Sequence, residues 1–244
     1  MKTRTIEQFI DEIAKHYPPH TKVDGNLNDL EKIRFNKNEC LFVWDLRLGE
    51  MVFNKGFENL LGISDDEVNL EKFVALFHPD DKEYVYRLGQ AATLHAINNP
   101  ELNSEFCLYV SHRIKKSNGE YIKIMAQSSA YSIDDQGLIS SFLVKLSDIS
   151  FVDTTEAVQY KFLASSLDHE LFHDLVYDKN KSIFTPRELE VIKEIQKGTS
   201  NFQIAENLQI SKFTVETHRK KIMKKSESHS AEELILFCQR NGVL

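Results

Sequence analysis

Cysteine is scarce in this 244-residue chain, and its three copies, Cys40, Cys107 and Cys238, are scattered and odd in number. That pattern argues against a disulfide framework and against a clustered zinc site. No apolar run approaches the ~20 residues that a membrane helix needs. The charged, polar start of the chain lacks the apolar core of a secretory leader, so a cytoplasmic location is expected. No phosphate-cradling glycine loop, nucleophile elbow or His-Glu-x-x-His pair occurs, and no enzyme class, metal or cofactor is implied. Asp80-Asp81 and Asp134-Asp135 are poor phosphoacceptors, because the first pair follows a His-Pro turn and the second sits in a hairpin loop. What is present suits a globular protein. The chain is 41% hydrophobic and long enough for two domains.

The clearest signals lie in residues 181–244. Thr185 and Glu188 are spaced as a capping box, with Pro186 at the first helical position. Leu189, Ile192 and Ile195 share one face of the helix that follows, and Gly198 suits a left-handed close. Ser200 caps a second helix over 201–208, whose Ile204, Ala205 and Leu208 pack on the first. After Gln209 and Ile210, Ser211 caps a third helix running to about Lys225. Two helices joined by so short a turn have the helix-turn-helix form, in which the second enters a DNA major groove. At 100° per residue, Val215, Ile222 and His218 face the domain interior. Phe213, Thr217, Lys220 and Lys224 face outward, flanked by Glu216 and Lys221. Ser230 and Glu233 predict a capping box for a fourth helix over 231–240.

Charge separates the two parts of the chain. Residues 181–244 carry a net +3, and the remainder carries −10. A cationic tail on an anionic body places the attraction for phosphate where the third helix lies. A charge run alone is equally consistent with a solvated face.

The string Phe-Thr-Pro-Arg-Glu-Leu-Glu-Val, followed by Gly198, Ser200-Asn201, Ile204-Ala205, Leu208, Ile210-Ser211, Thr214-Val215 and His218, closely resembles the LuxR-type DNA-binding domain of bacterial transcription regulators over about 181–242. The resemblance implies a four-helix fold with the third helix in the major groove. It assigns base or phosphate contact to Glu216, Thr217 and Lys220, with Lys224 near the backbone and Lys221 and Lys212 beside them. In that role Glu216 accepts from a cytosine amino group and Lys220 addresses guanine. The bland alternative is that Glu216 only pairs with Lys220 four residues on. Ser226 and Ser228 stand where the family has apolar residues, and Ala231 replaces a common Arg, which puts the packing of the fourth helix in question.

Upstream, residues 1–34 predict an amphipathic helix from Thr5 to His16, with Ile6, Phe9, Ile10 and Ile13 on one face, broken by Pro18-Pro19. Cys40–Leu46 and Glu50–Asn54 then read as a hairpin. Helical segments follow around Phe57–Leu61, Leu70–Phe77 and Pro79–Ile97. Three more strand-like runs, Ser104–Lys115, Glu120–Ile133 and Leu138–Asp148, are joined by Asn118-Gly119 and Gln136-Gly137 turns. Two strands, several helices and three strands make a five-stranded antiparallel sheet with helices against one face, an α+β arrangement.

With Val43-Trp44-Asp45-Leu46, Phe77-His78-Pro79-Asp80-Asp81 and Leu146-Ser147-Asp148-Ile149, this stretch resembles a PAS sensory domain over 35–152. The resemblance implies a space between helices and sheet that either holds a small molecule or is core. Phe42, Trp44, Phe53, Phe73, Phe77, Phe106, Ile124 and Phe142 are the candidate lining, although strand aromatics are more often core. The flavin-reactive cysteine motif of the light-sensing branch is missing. For haem, His78 is read as capping the next helix and His95 as solvated. Residues 153–180 are read as a linker helix, with Val158, Phe162, Leu163, Leu167, Leu171 and Leu175 as its apolar positions.

Two functions follow from these resemblances. In one, the chain is a transcription regulator, acting as a homodimer on double-stranded DNA, whose PAS-like domain senses a signal or partner and controls the helix-turn-helix tail. In the other, the PAS-like domain holds no ligand and serves only for dimerisation or protein interaction.

Overall fold

The computed structural model describes residues 27–100, 105–163 and 184–240, together with residues 8, 10, 13, 15, 172, 176 and 243. The chain divides into two units, Met1–Phe172 and His173–Leu244.

The first unit is built on a six-stranded antiparallel sheet. After the short helix α1 (Leu27–Glu31), β1 (Glu39–Asp45) and β2 (Glu50–Lys55) form the expected hairpin. Helices α2 (Phe57–Leu61), α3 (Leu70–Ala75) and α4 (Pro79–Asn98) follow, with one 3-10 turn at Asp65–Glu67. Strands β3 (Cys107–Lys115), β4 (Tyr121–Ile133), β5 (Ile139–Asp148) and β6 (Gln159–Leu163) complete the sheet in the order β2-β1-β5-β4-β3-β6. Gly56, at the β2–α2 corner, has φ 93°, and a Cβ there would lie 2.8 Å from the Glu39 carbonyl oxygen, so only glycine fits. Phe42, Phe57, Phe73, Phe77, Ile114, Ile124 and Leu146 are buried together between helices and sheet.

The sixth strand corrects the expectation of five strands and a helix over 153–180. The four-residue spacing of Val158 and Phe162 mimics a helix face, but Gln159–Leu163 pairs with β3 from Ser111 to Cys107. Without β6, β3 would leave a row of backbone donors and acceptors unpaired. Lys123 holds the approach to this strand. Its buried ammonium donates to the carbonyls of Thr155 and Ala157, and its backbone amide donates to Ser150 Oγ at 2.9 Å. Of the remaining linker expectation, Phe172 and Val176 are helical and buried, while Leu167, Leu171 and Leu175 lie outside the described residues. Of the N-terminal helix, Gln8, Ile10 and Ile13 are helical and Ile13 is buried; Ile6 and Phe9 lie outside the described residues.

One buried carboxylate fixes α4 to the sheet and a second shapes a turn. Asp81, at the start of α4, is wholly buried and accepts from the Arg113 amide at 2.9 Å, Nε at 3.0 Å and Nη2 at 2.7 Å. His78 caps the same helix as expected, its Nδ1 accepting from the Asp80 amide at 3.2 Å. Asp45 accepts from the Arg47 amide and guanidinium and from the Leu48 amide, which shapes the β1–β2 turn. His95 departs from its expected solvation. It is 8% exposed, with its ring 5.3 Å from that of Phe162, because β6 covers the last turns of α4.

The second unit is helical: α5 (Pro186–Gln196), α6 (Asn201–Asn207), α7 (Lys212–Ser226) and α8 (Ala231–Arg240). Its core joins Phe184, Val191, Ile192, Ile195, Ile204, Val215, Ile222, Leu234 and Cys238.

Candidate nucleic-acid interface and cavity

Local signals set each helix of the second unit. The Thr185 hydroxyl accepts from the Glu188 amide at 3.3 Å, and the Glu188 carboxylate accepts from the Thr185 amide at 2.7 Å. Ser200 and Gln203 form a second reciprocal box at the start of α6. Gly198, at φ 73°, closes α5 as its position implied. Ser211 caps α7 by accepting from the Thr214 amide at 3.0 Å. A left-handed Gln209, φ 52°, makes the tight turn between α6 and α7.

Side chains then lock these helices into one geometry. Glu188 is 2% exposed and receives the Lys225 ammonium at 2.6 Å, tying α5 to the last turn of α7. Burial pushes its carboxyl pKa up, but Lys225 and the Thr185 amide outweigh that and hold it below the ordinary value. Glu194 takes Lys197 and Asn207, each at 2.6 Å, and so joins α5 to α6. Arg187 reaches the Leu208 carbonyl at 2.6 Å, fixing the turn before α7. Ser226 and Ser228 occupy core positions after all, at 6% and 7% exposure. Their hydroxyls donate to the Ile222 and Ser226 carbonyls, so two polar residues fill apolar places with their hydrogen bonds satisfied. The predicted box at α8 forms only in half. Ser230 Oγ accepts from the Glu233 amide at 3.1 Å, but the Glu233 carboxylate turns to the His229 amide at 2.6 Å.

This frame leaves one face of α7 outward. Val215 and Ile222 are fully buried, whereas Lys212, Glu216, Thr217, Lys220, Lys221 and Lys224 are all exposed. Glu216 stands 4.0 Å from Lys212, on the preceding turn, rather than paired with Lys220. Among the described residues Lys220, Lys221 and Lys224 make no ion pair within 4 Å. Thr217 Oγ1 donates to the Phe213 carbonyl at 2.9 Å, which leaves its methyl and lone pairs free to meet a partner. Phe213 shares this face and is 76% exposed. It was on the outward side of the helical wheel but among no candidate contacts; its position one turn before Thr217 is the signal that marks it.

The first unit holds a cavity of about 160 Å³. Of the eight sequence candidates, Phe42, Trp44, Phe73 and Phe77 line it. The other four do not. Ile124 is wholly buried in the core, Phe53 is half-buried on β2, and Phe106 and Phe142 stack on each other at 4.9 Å. The lining missed from sequence includes His112 and Gln90. On β3, alternation places His112 on the same face as Leu108, Val110 and Ile114, and a lone histidine in an inward register was the available signal. His112 is 1% exposed and its ring lies 4.7 Å from that of Phe77. Burial lowers its pKa to about 4, with Lys123 reinforcing and Asp81 and the Val110 carbonyl opposing.

A turn between two short helices, a third helix projecting unpaired lysines and a fourth closing the core together define a helix-turn-helix domain of the DNA-binding class. Residues 182–238 match the model of the luxR family of bacterial regulatory proteins, and this part of the chain is a domain of that family. Over 59 residues the chain is 51% identical to the uncharacterized response regulatory protein YgeK of Escherichia coli, a match covering 24% of this chain and 40% of that protein. It is 30% identical over 126 residues to the nitrate/nitrite response regulator protein NarP of E. coli, covering 48% and 57% of the two chains. The chain thus spans less than two thirds of the length of either relative. Among solved structures, the phage VqmA–DPO complex covers 89% of this chain and 88% of its own at 16% identity and a TM-score of 0.37. No helix among the described residues is long and apolar enough to cross a membrane.

Proposed function

We propose that the chain is a DNA-binding transcription regulator whose N-terminal PAS-like unit senses a small molecule or partner and controls the luxR-type tail. The observation that carries this reading is the outward face of α7, where Glu216, Thr217 and Lys220 stand exposed on a helix fixed from behind by Val215, Ile222 and the Glu188–Lys225 pair. In a major groove, Lys220 supplies a donor for guanine and Glu216 an acceptor for the cytosine amino group, while Lys212, Lys221 and Lys224 neutralise phosphates. A reading helix of this length contacts few base pairs, so two copies bound as a homodimer supply the specificity that one lacks. The cavity supports sensing over pure dimerisation, since a domain used only for pairing has no need of polar groups aimed into a hollow.

The test is selection of bound sites from a random duplex library with the full chain, followed by a mobility-shift titration on the selected site. Lys220→Ala is expected to weaken binding about tenfold or more. Unchanged affinity in that variant overturns the assignment of α7 as the reading helix.

A further inference from the structure

We propose that the cavity of the N-terminal unit takes an uncharged, single-ring molecule bearing both a hydrogen-bond donor and an acceptor, anchored at His112 and Gln90. This rests on reading the cavity as the sensory site, and adds the class of molecule that fits it.

Size sets the first limit. A dry cavity of ~150 Å³ accommodates benzene, and this one measures about 160 Å³. Shape follows from the walls, because Phe42, Trp44, Phe73 and Phe77 offer flat apolar surfaces against which a ring packs. Charge is excluded by the lining itself. Among the described residues no Asp, Glu, Lys or Arg borders the cavity, and an ionised ligand would lose its hydration with no counter-charge there to replace it.

Polarity is nonetheless required. Neither ring nitrogen of His112 makes a hydrogen bond of good geometry among the described residues, and Gln90 Nε2 is likewise buried without a partner. Buried polar atoms left in that state are costly and rare in folded proteins. Two side chains carrying such atoms on one cavity point to an occupant that satisfies both. With its pKa near 4, His112 is neutral at pH 7 and presents one donor and one acceptor. Gln90 adds a donor. The complementary molecule carries an acceptor for each N–H and a donor for the bare imidazole nitrogen.

Benzamide and benzoate test this class, being nearly identical in shape and different in charge. Trp44 is the chain's one tryptophan and lines the cavity, so its emission reports occupancy in the full-length protein. Benzamide is expected to change Trp44 emission saturably and to raise the melting temperature, with benzoate binding about tenfold or more weakly. In this largely apolar site Gln90→Leu, which removes one hydrogen bond, is expected to weaken benzamide by about tenfold, and His112→Leu, which removes two, by more than that. Both variants should melt at or above the wild-type temperature when unliganded. Absence of a saturable benzamide response, equal binding of benzoate, or folded variants with unchanged affinity would each overturn the proposal. If His112→Leu does not fold, Gln90→Leu decides. DNA titrations on the same samples keep the two readings apart. Benzamide that binds without altering DNA affinity supports the ligand class and contradicts only the control of the tail. Lost benzamide binding with intact DNA affinity contradicts only the ligand class.

Discussion

Glu188 shows how a single carboxylate serves as helix cap and inter-helix tie at once, since it takes the Thr185 amide on one side and Lys225 on the other. Its pKa is depressed in the folded domain, so its contribution is fully present above the ordinary value of 4.5 and is lost as the pH falls through the lower folded value. The protection factors of the Val191 and Ile192 amides, corrected for the intrinsic slowing of exchange in acid, should therefore fall below about pH 4.5, and Glu188→Gln should remove most of that pH dependence. Equal acid sensitivity in the variant would show that another group governs it. In the first unit the corresponding anchor is Asp81. Replacing it with Ala leaves the Arg113 amide without its acceptor and the guanidinium with only its longer contacts to Asp80 and Glu156, and should cost about 3 kcal/mol, read from urea unfolding. A loss below 1 kcal/mol would mean that water replaces the carboxylate freely.

Elements differ in how plainly their residues announce them. The four helices of the tail were legible because each carries its own start signal, Thr185, Ser200, Ser211 or Ser230, and its own apolar face. The strands β1–β5 were legible through alternation and their Asn-Gly and Gln-Gly turns. β6 was not, because Gln159–Leu163 has one inward residue, Phe162, and owes its form to the open edge of β3, a distant partner that no local pattern reveals. The same limit applies to the sites. The outward face of α7 follows from helical periodicity alone, whereas only half of the proposed lining reaches the cavity, since that depends on how α3 and α4 settle on the sheet. Ser226 and Ser228 are a further case of polar letters in buried places. Ser226 spends its hydroxyl on a carbonyl already engaged in the helix, so Ser226→Ala should be neutral or stabilise the second unit by about 0.5 kcal/mol in thermal unfolding. A loss above 1 kcal/mol would show the hydroxyl to be a needed tie.

At the scale of the molecule, a sensor must pass its state toward the residues that lead into the second unit. Trp44 borders the cavity and packs on Phe142, which meets Phe106, then Phe162, then Phe172, the last residue of the first unit. Phe162→Ala is expected to leave cavity binding within about twofold while abolishing any effect of the ligand on DNA affinity; persistence of that effect would place the coupling elsewhere. The account depends above all on α7 meeting duplex DNA through its lysines, and the dependence of DNA affinity on salt measures that contact most directly. A plot of log affinity against log salt should fall steeply for the wild-type chain and should be shallower by about 2 in a Lys221→Ala, Lys224→Ala double variant, one for each phosphate contact removed. Parallel slopes for the two proteins would contradict it.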